Sequence, residues 1–237
     1  MKRLPLLISL PHTGLRVPEE LEPLNLLTPE QIAADGDEGA AAVYLELGGR
    51  VEHFVTTDIA RVFVDLNRGT DDFRQDSVIK SHTCWGLPIY RKQPGPELTR
   101  ILLDRYYFPY HQRLTNLAGT GPMLGIDCHT MAEYGPPLGP GHDRKRPWVC
   151  LGNTHHESCS KEWVELLAAC FSPFFRRSVT VNRPFSGGWI IRFHGRQMPW
   201  IQLEISRDQS IPSDEKGVKV LAALEEFCRR MGWCSGG

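Results

Sequence analysis

Two histidines stand where short apolar runs stop. His12 follows Leu6-Leu7-Ile8-Ser9-Leu10-Pro11, and His129 follows Leu124-Gly125-Ile126-Asp127-Cys128. Alone, a histidine at a strand end is an ordinary polar residue. A pair in equivalent places suggests a shared metal, because zinc takes imidazole nitrogen together with carboxylate oxygen, and its catalytic sites combine three protein ligands with water. A third ligand is then needed. The familiar H-x-x-E spacing is absent, since Leu15 stands three residues after His12. Glu19, Glu20 and Glu22 follow in a proline-bounded stretch that reads as surface charge. Asp35-Gly36-Asp37-Glu38 lies just before Ala40-Ala41-Ala42, where acids would equally suit a helix start.

Further candidates are charged residues set in apolar surroundings. Glu204 interrupts Trp200-Ile201-Gln202-Leu203-Glu204-Ile205; period-two alternation puts Gln202 and Glu204 on one face and the aliphatic residues on the other. Arg61 and Asp65-Leu66-Asn67-Arg68 bracket another apolar run. A planar guanidinium suits a bidentate carboxylate, which makes Arg68 a candidate for an anionic substrate. Cys128 and His129 are adjacent, so on a strand they face opposite ways and do not form a nucleophilic dyad.

The elements that must position these residues alternate. Strands are expected at Leu6–Leu10, Val51–Val55, Arg61–Leu66, Met123–Ile126, Trp148–Leu151, Val179–Val181 and Trp200–Ile205. Helices are expected over Pro29–Leu47 with a break near Gly36, Pro96–Leu117 with a bend near Pro109, Lys161–Phe171 and Asp214–Met231. Thr28 before Pro29 is a natural start for the first of these. The pattern predicts an α/β layer architecture around a central sheet, in which chemistry gathers at strand ends. The proline- and glycine-rich stretch from Tyr134 to Pro147 reads as a loop, because strand pattern resumes after it. The chain is therefore read as a single domain over 1–237.

Composition excludes several classes. A net charge of -1 offers no basic surface for nucleic acid. No apolar run approaches the roughly 20 residues that span a bilayer. The start, MKRLPLLISLPH, is too short and too proline-broken for a signal peptide and reads as a first buried strand. Seven cysteines without a C-x-x-C pair suggest reduced thiols and a cytoplasmic setting.

Taken in order, these segments resemble the N-formylglutamate amidohydrolase family. "SLPHTG" is similar to its PHSG-type opening, "DGDEGA" to its acidic segment, "ARVFVDLNR" to its R-x-x-x-D-L-N-R run and "YFPYHQRL" to its P-Y-H helix. "IDCHTM" is similar to its D-x-H-S-M element, with Thr130 for Ser. "RPFSGGWIIRFHG" matches its G-G-Y-I-x-R segment, with Trp189 for Tyr, and "WIQLEISR" its Q-x-E strand. The resemblance implies a central mixed β-sheet flanked by helices, a phosphorylase/hydrolase-like fold of the zinc carboxypeptidase kind. It implies one zinc ion, other divalent metals being possible, on His12, Asp37 and His129, with Asp35 and Glu38 as fallbacks for the carboxylate. It makes Glu204 the base and places Arg61 with the metal at the developing oxyanion, while a water is activated by lowering its pKa to about 7. Asn67 and Arg68 would clamp a substrate carboxylate. Gly187, Gly188 and Arg192 would bind a second one or orient the substrate. Asp127 would orient His129 or cap a neighbouring turn. His82 is a possible cleft residue, His111 a packed one, and His155 and His156 surface residues. The implied reaction removes a small acyl group, formyl first, from an N-acyl amino acid such as N-formylglutamate, a small-molecule substrate. The alternatives are a carboxypeptidase or peptide amidase on the same centre, and a non-catalytic binding protein.

Overall fold

The computed structural model describes residues 3–72, 77–135, 143–176 and 178–233. Within them, six strands form one sheet: β1 Leu4–Leu10, β2 Val51–Thr56, β3 Leu124–Met131, β4 Val149–Gly152, β5 Val179–Val181 and β6 Trp200–Ser206. Their order is β2-β1-β3-β6-β4-β5. All neighbouring pairs are parallel except β4–β6, which makes the sheet mixed, as expected. The helices are α1 Pro29–Asp35, α2 Ala40–Tyr44, α3 Pro96–Leu102, α4 Phe108–Ala118, α5 Lys161–Phe171, α6 Trp189–His194 and α7 Ser213–Arg230.

Side-chain alternation gives the three central strands two different faces. Leu6, Ile8, Leu10, Leu124, Ile126, Cys128, Ile201, Leu203 and Ile205 all point into one apolar cluster, beneath α2, α5 and α7. The opposite face is apolar at its near end, where Leu7 and Trp200 join a second cluster with α3 and α4 residues. There Gly125 is required by close approach: a Cβ on it would come 2.2 Å from the Trp200 ring. Further along, this face carries Ser9, Asp127, His129, Gln202 and Glu204. Parallel register sets Ser9 beside Asp127, Asp127 beside Gln202 and His129 beside Glu204. The carboxyl ends of β1, β3 and β6 thus open on one edge, where parallel α/β sheets place their ligands.

Most expected elements form. Thr28 caps α1 with a capping box: its hydroxyl accepts from the Gln31 N–H while its own N–H donates to Gln31 Oε1 at 2.9 Å. The helical region breaks at Gly36, as expected, and α2 starts after Gly39, whose φ of 77° lies in the left-handed region. The long helix is irregular just before Pro109. Residues Leu103–Tyr107 form a π-turn, and the Phe108 N–H donates to the Leu103 carbonyl.

Two expectations are corrected, and one helix is added. Arg61–Leu66 is not a strand but a series of turns, with Phe63 N–H donating to the Ala60 carbonyl at 3.0 Å. The Arg61–Asp65 ion pair, 3.0 Å across an i,i+4 spacing, needs a turn, because an extended chain would carry these side chains far apart. Its apolar residues look strand-like because Val62, Phe63, Val64 and Leu66 are all buried in the second cluster. Strand β3 does not end at Ile126; it runs on to Met131, so His129 sits inside a strand. Helix α6 has no counterpart in the sequence reading, since six residues between glycines are too few to show helical periodicity. Of the Tyr134–Pro147 loop, residues 136–142 lie outside the described residues; its two ends meet in a bridge between Tyr134 and Lys145.

Candidate metal centre and active site

His12 leaves the end of β1, His129 projects from β3, and Asp37 lies in the connection between α1 and α2. The Asp37 N–H donates to the His12 carbonyl at 3.3 Å, so the main chain ties two of these residues together. Their ligand atoms all lie within 4.8 Å of one another, and all three residues are buried. Both imidazoles are held the same way. His12 Nε2 donates to Asp65 Oδ1 at 2.9 Å, and His129 Nε2 to Asp127 Oδ2 at 2.8 Å. Asp127 is fixed in turn by the Ser9 hydroxyl, 2.8 Å from its Oδ1. The two Nδ1 atoms therefore turn inward, lying 3.5 Å (His12) and 2.9 Å (His129) from Asp37 Oδ2. His12 Nδ1 is buried without a hydrogen bond. Such an atom, in a trio of two imidazole nitrogens and one carboxylate oxygen, with an anchoring carboxylate behind each ring, fits a divalent metal.

The electrostatics favour positive charge here. Burial pushes the Asp37 carboxyl up, but His12 and His129 outweigh it and hold it well below its ordinary value. Burial pulls His129 down, yet Asp127 and Asp37 raise it well above its ordinary value. A centre that stabilises a proton between carboxylates also stabilises a cation in the proton's place. The fallback carboxylates are placed elsewhere: Asp35 accepts from Lys80 Nζ at 2.8 Å and from the Cys84 N–H at 2.7 Å, and Glu38 is exposed.

Glu204 is buried beside this trio and accepts from Gln202 Nε2 at 2.9 Å, while Gln202 Oε1 accepts from the Gly188 N–H at 2.6 Å. Burial above all, with Asp37 adding to it, pushes the Glu204 carboxyl up to about 7 against the pull of His129, Arg61 and Arg146. Arg61 binds Asp65 and stands 3.9 Å from Asp37 Oδ1. Arg68 lines the same cleft, its Nη1 donating to the Asn67 carbonyl at 3.0 Å. The Asn67 amide is committed to the protein: it donates to Asp127 Oδ2 at 3.2 Å and accepts from the Ile190 N–H at 2.8 Å. Gly187 and Gly188 line the cleft, and a Cβ on Gly188 would come 2.3 Å from the Asn67 amide. Arg192 is exposed on α6 and is not among the cleft-lining residues.

The cleft holds about 710 Å³. Its walls also include Lys80, Arg146 and Arg207, which no local pattern singles out as site residues, and Gln202, the face-mate of Glu204. Buried Lys80 bonds Asp35 and lies 3.8 Å from Asp65, behind His12. Arg146 stacks over the Phe185 ring at 4.9 Å. The signal for Lys80 is weak, a lysine directly after the apolar pair Val78-Ile79, and no apolar run frames Arg146. His82 lines the cleft. His111 is packed and hydrogen-bonded to the Leu66 carbonyl at 3.0 Å, and His155 and His156 are exposed. Cys128 faces the apolar cluster on the far side of the sheet from His129.

Fold and site together define an α/β protein with a two-histidine, one-carboxylate centre at the carboxyl edge of a mixed sheet. Residues 4–210 match the family model of N-formylglutamate amidohydrolase, and the chain belongs to that family. It is 27% identical over 231 residues to an N-formylglutamate deformylase of Pseudomonas putida, covering 90% of this chain and 84% of that one. It is 28% identical over 223 residues to the N-formylglutamate deformylase of Pseudomonas aeruginosa, covering 86% and 81%. Its fold matches the crystal structure of N-formylglutamate amidohydrolase from Ralstonia eutropha JMP134 with a TM-score of 0.74 at 20% identity, over 98% of this chain and 95% of that one.

Proposed function

We propose that this protein is a zinc-dependent amidohydrolase that hydrolyses the formyl amide of an N-formyl amino acid with an acidic side chain, N-formylglutamate first. The observation that carries this reading is the pair of imidazoles with both Nε2 atoms anchored on carboxylates and both Nδ1 atoms turned onto Asp37 Oδ2, with Glu204 beside them. Family membership and the two deformylase relatives support the substrate.

His12, Asp37 and His129 would hold the ion, which when bound supplies Lewis acidity toward the amide carbonyl and toward water. Glu204 takes a proton from the attacking water and delivers it to the leaving nitrogen. Water adds to the formyl carbon, the C–N bond breaks, and formate and the free amino acid leave. Arg61 supplies fixed positive charge for the developing oxyanion. Arg68 binds a substrate carboxylate. The committed Asn67 amide acts by holding Asp127 and the start of α6 around it. Since Arg192 lies outside the cleft lining, the second carboxylate falls to Arg146, whose guanidinium is braced on Phe185. The enzyme is read as cytoplasmic, with Cys128, Cys150, Cys159, Cys170 and Cys228 buried as reduced thiols and Cys84 half-buried.

Metal content of the purified protein, with His129→Ala as control, is the first test. Roughly one zinc per chain, absent from the variant, is expected, together with formate release from N-formylglutamate. A wild-type protein that stays metal-free when offered zinc overturns the reading. Glu204→Gln is expected to lower turnover by roughly 10²–10⁴-fold while zinc remains bound; a wild type that binds N-formylglutamate without turning it over would instead make the chain a binding protein.

A further inference from the structure

We propose that Arg207 is the positioning residue that holds Asp37 in ligating geometry and thereby sets the affinity of the centre for its metal, an inference that rests on the metal reading above. Asp37 lies in a short connection between two short helices, the second without a side-chain cap. Such a segment does not hold a carboxylate in place by itself. The carbonyls on both sides of Asp37 are gripped from the sheet. Arg207 Nη2 donates to the Gly36 carbonyl at 2.7 Å, and Arg207 Nε donates to Thr130 Oγ1 at 3.2 Å. The Thr130 hydroxyl donates onward to the Glu38 carbonyl at 2.9 Å. Arg207 is itself fixed, because its N–H donates to the Met131 carbonyl at 2.8 Å.

The same guanidinium also selects which oxygen of Asp37 faces the metal. Asp37 Oδ1 lies 4.0 Å from Arg207 Nη2 and 3.9 Å from Arg61 Nη1, between two positive charges. Asp37 Oδ2 faces the two imidazole Nδ1 atoms. The carboxylate is thereby divided: Oδ1 faces the arginines, while Oδ2 faces the imidazoles and accepts from the Thr130 N–H at 3.3 Å. This geometry needs a planar fork with two divergent donors; a lysine ammonium supplies one point charge and cannot span both acceptors. Arg207 lies three residues beyond Glu204, so the strand that carries the base also locks the carboxylate ligand.

The test uses the full-length protein stripped of metal, with zinc titrated against a competing chelating dye. Arg207→Gln is expected to weaken zinc binding by roughly 10–100-fold, the usual effect of losing a partner behind a ligand. Arg207→Lys is expected to fall in the same range, and Thr130→Val to weaken zinc in the same direction. Arg16→Gln, which breaks the exposed Arg16–Asp58 pair and the stacking of Arg16 on Tyr106, away from the centre, is expected to leave affinity unchanged. The metal-free melting temperature is read alongside and should stay close to that of the wild type. Wild-type zinc affinity in Arg207→Gln overturns the proposal, and if that variant instead raises KM for N-formylglutamate, Arg207 is a substrate ligand. Affinity lost together with the metal-free fold also overturns it, in favour of a merely structural role. A wild type that binds no zinc sinks the metal reading itself, and is distinguishable because every variant then behaves alike.

Discussion

In the proposed reaction Glu204 must be a carboxylate to accept a proton. Its carboxyl is pushed up to about 7, by burial first and by Asp37 next. The acid limb of kcat/KM is therefore expected no higher than about pH 7, with activity rising as pH rises through it, and a bound cation moves that limb to lower pH. A pH–rate profile checks this; an alkaline limb alone would remove Glu204 from the base role. Glu204→Gln should lower kcat by roughly 10²–10⁴-fold, read by formate release. Behind the ligands, Asp127→Asn should weaken zinc binding by about 10–100-fold, because the carboxylate that turns His129 Nδ1 inward is lost. At this scale much was legible. His12, His129 and Glu204 each break an apolar run, and burying such groups is costly without a purpose. Arg192 follows a glycine pair that lines the cleft, yet it is exposed on the six-residue α6.

Helices α4 and α6 meet through His111 and His194, whose rings stack at 5.2 Å with Nδ1 of the first 3.0 Å from Nε2 of the second. Burial, with His194 adding to it, pushes His111 down to about 4 from 6.5. Between those values the unfolded chain binds the proton and the folded chain does not. The pair's contribution is therefore fully present above pH 6.5 and is lost as pH falls toward 4. Urea melts at pH 7 and pH 5 should show up to about 2 kcal/mol less destabilisation at pH 5 in His111→Gln than in the wild type. Equal pH dependence in the two would refute it. Beneath these helices, Gly125→Ala should cost about 1–3 kcal/mol, since the added methyl meets the Trp200 ring; a melting temperature equal to that of the wild type would contradict this. Helices α5 and α7 and strands β5 and β6 were readable because period and length agree. The Arg61–Leu66 turns were not, because a buried loop and a strand are equally apolar.

For the whole molecule, metal and stability are linked, because the proposed ligands come from β1, β3 and the α1–α2 connection. Zinc at one hundred times its Kd should stabilise the fold by about 2.7 kcal/mol, and chelation should remove that gain. Thermal melts with and without chelator measure it; His129→Ala should show no difference, and a wild type equally indifferent would speak against a centre that joins these elements. The layered α/β class, most element positions and the family are legible along the chain, since periodicity and turn residues are local and the motifs keep a fixed order. The tertiary structure decided that Asp37, rather than Asp35 or Glu38, faces the histidines, that Asp65 and Asp127 stand behind them, and that Lys80, Arg146 and Arg207 complete the cleft. Those contacts join residues far apart in sequence, and their geometry exists only once parallel register has brought the ends of β1, β3 and β6 to one edge.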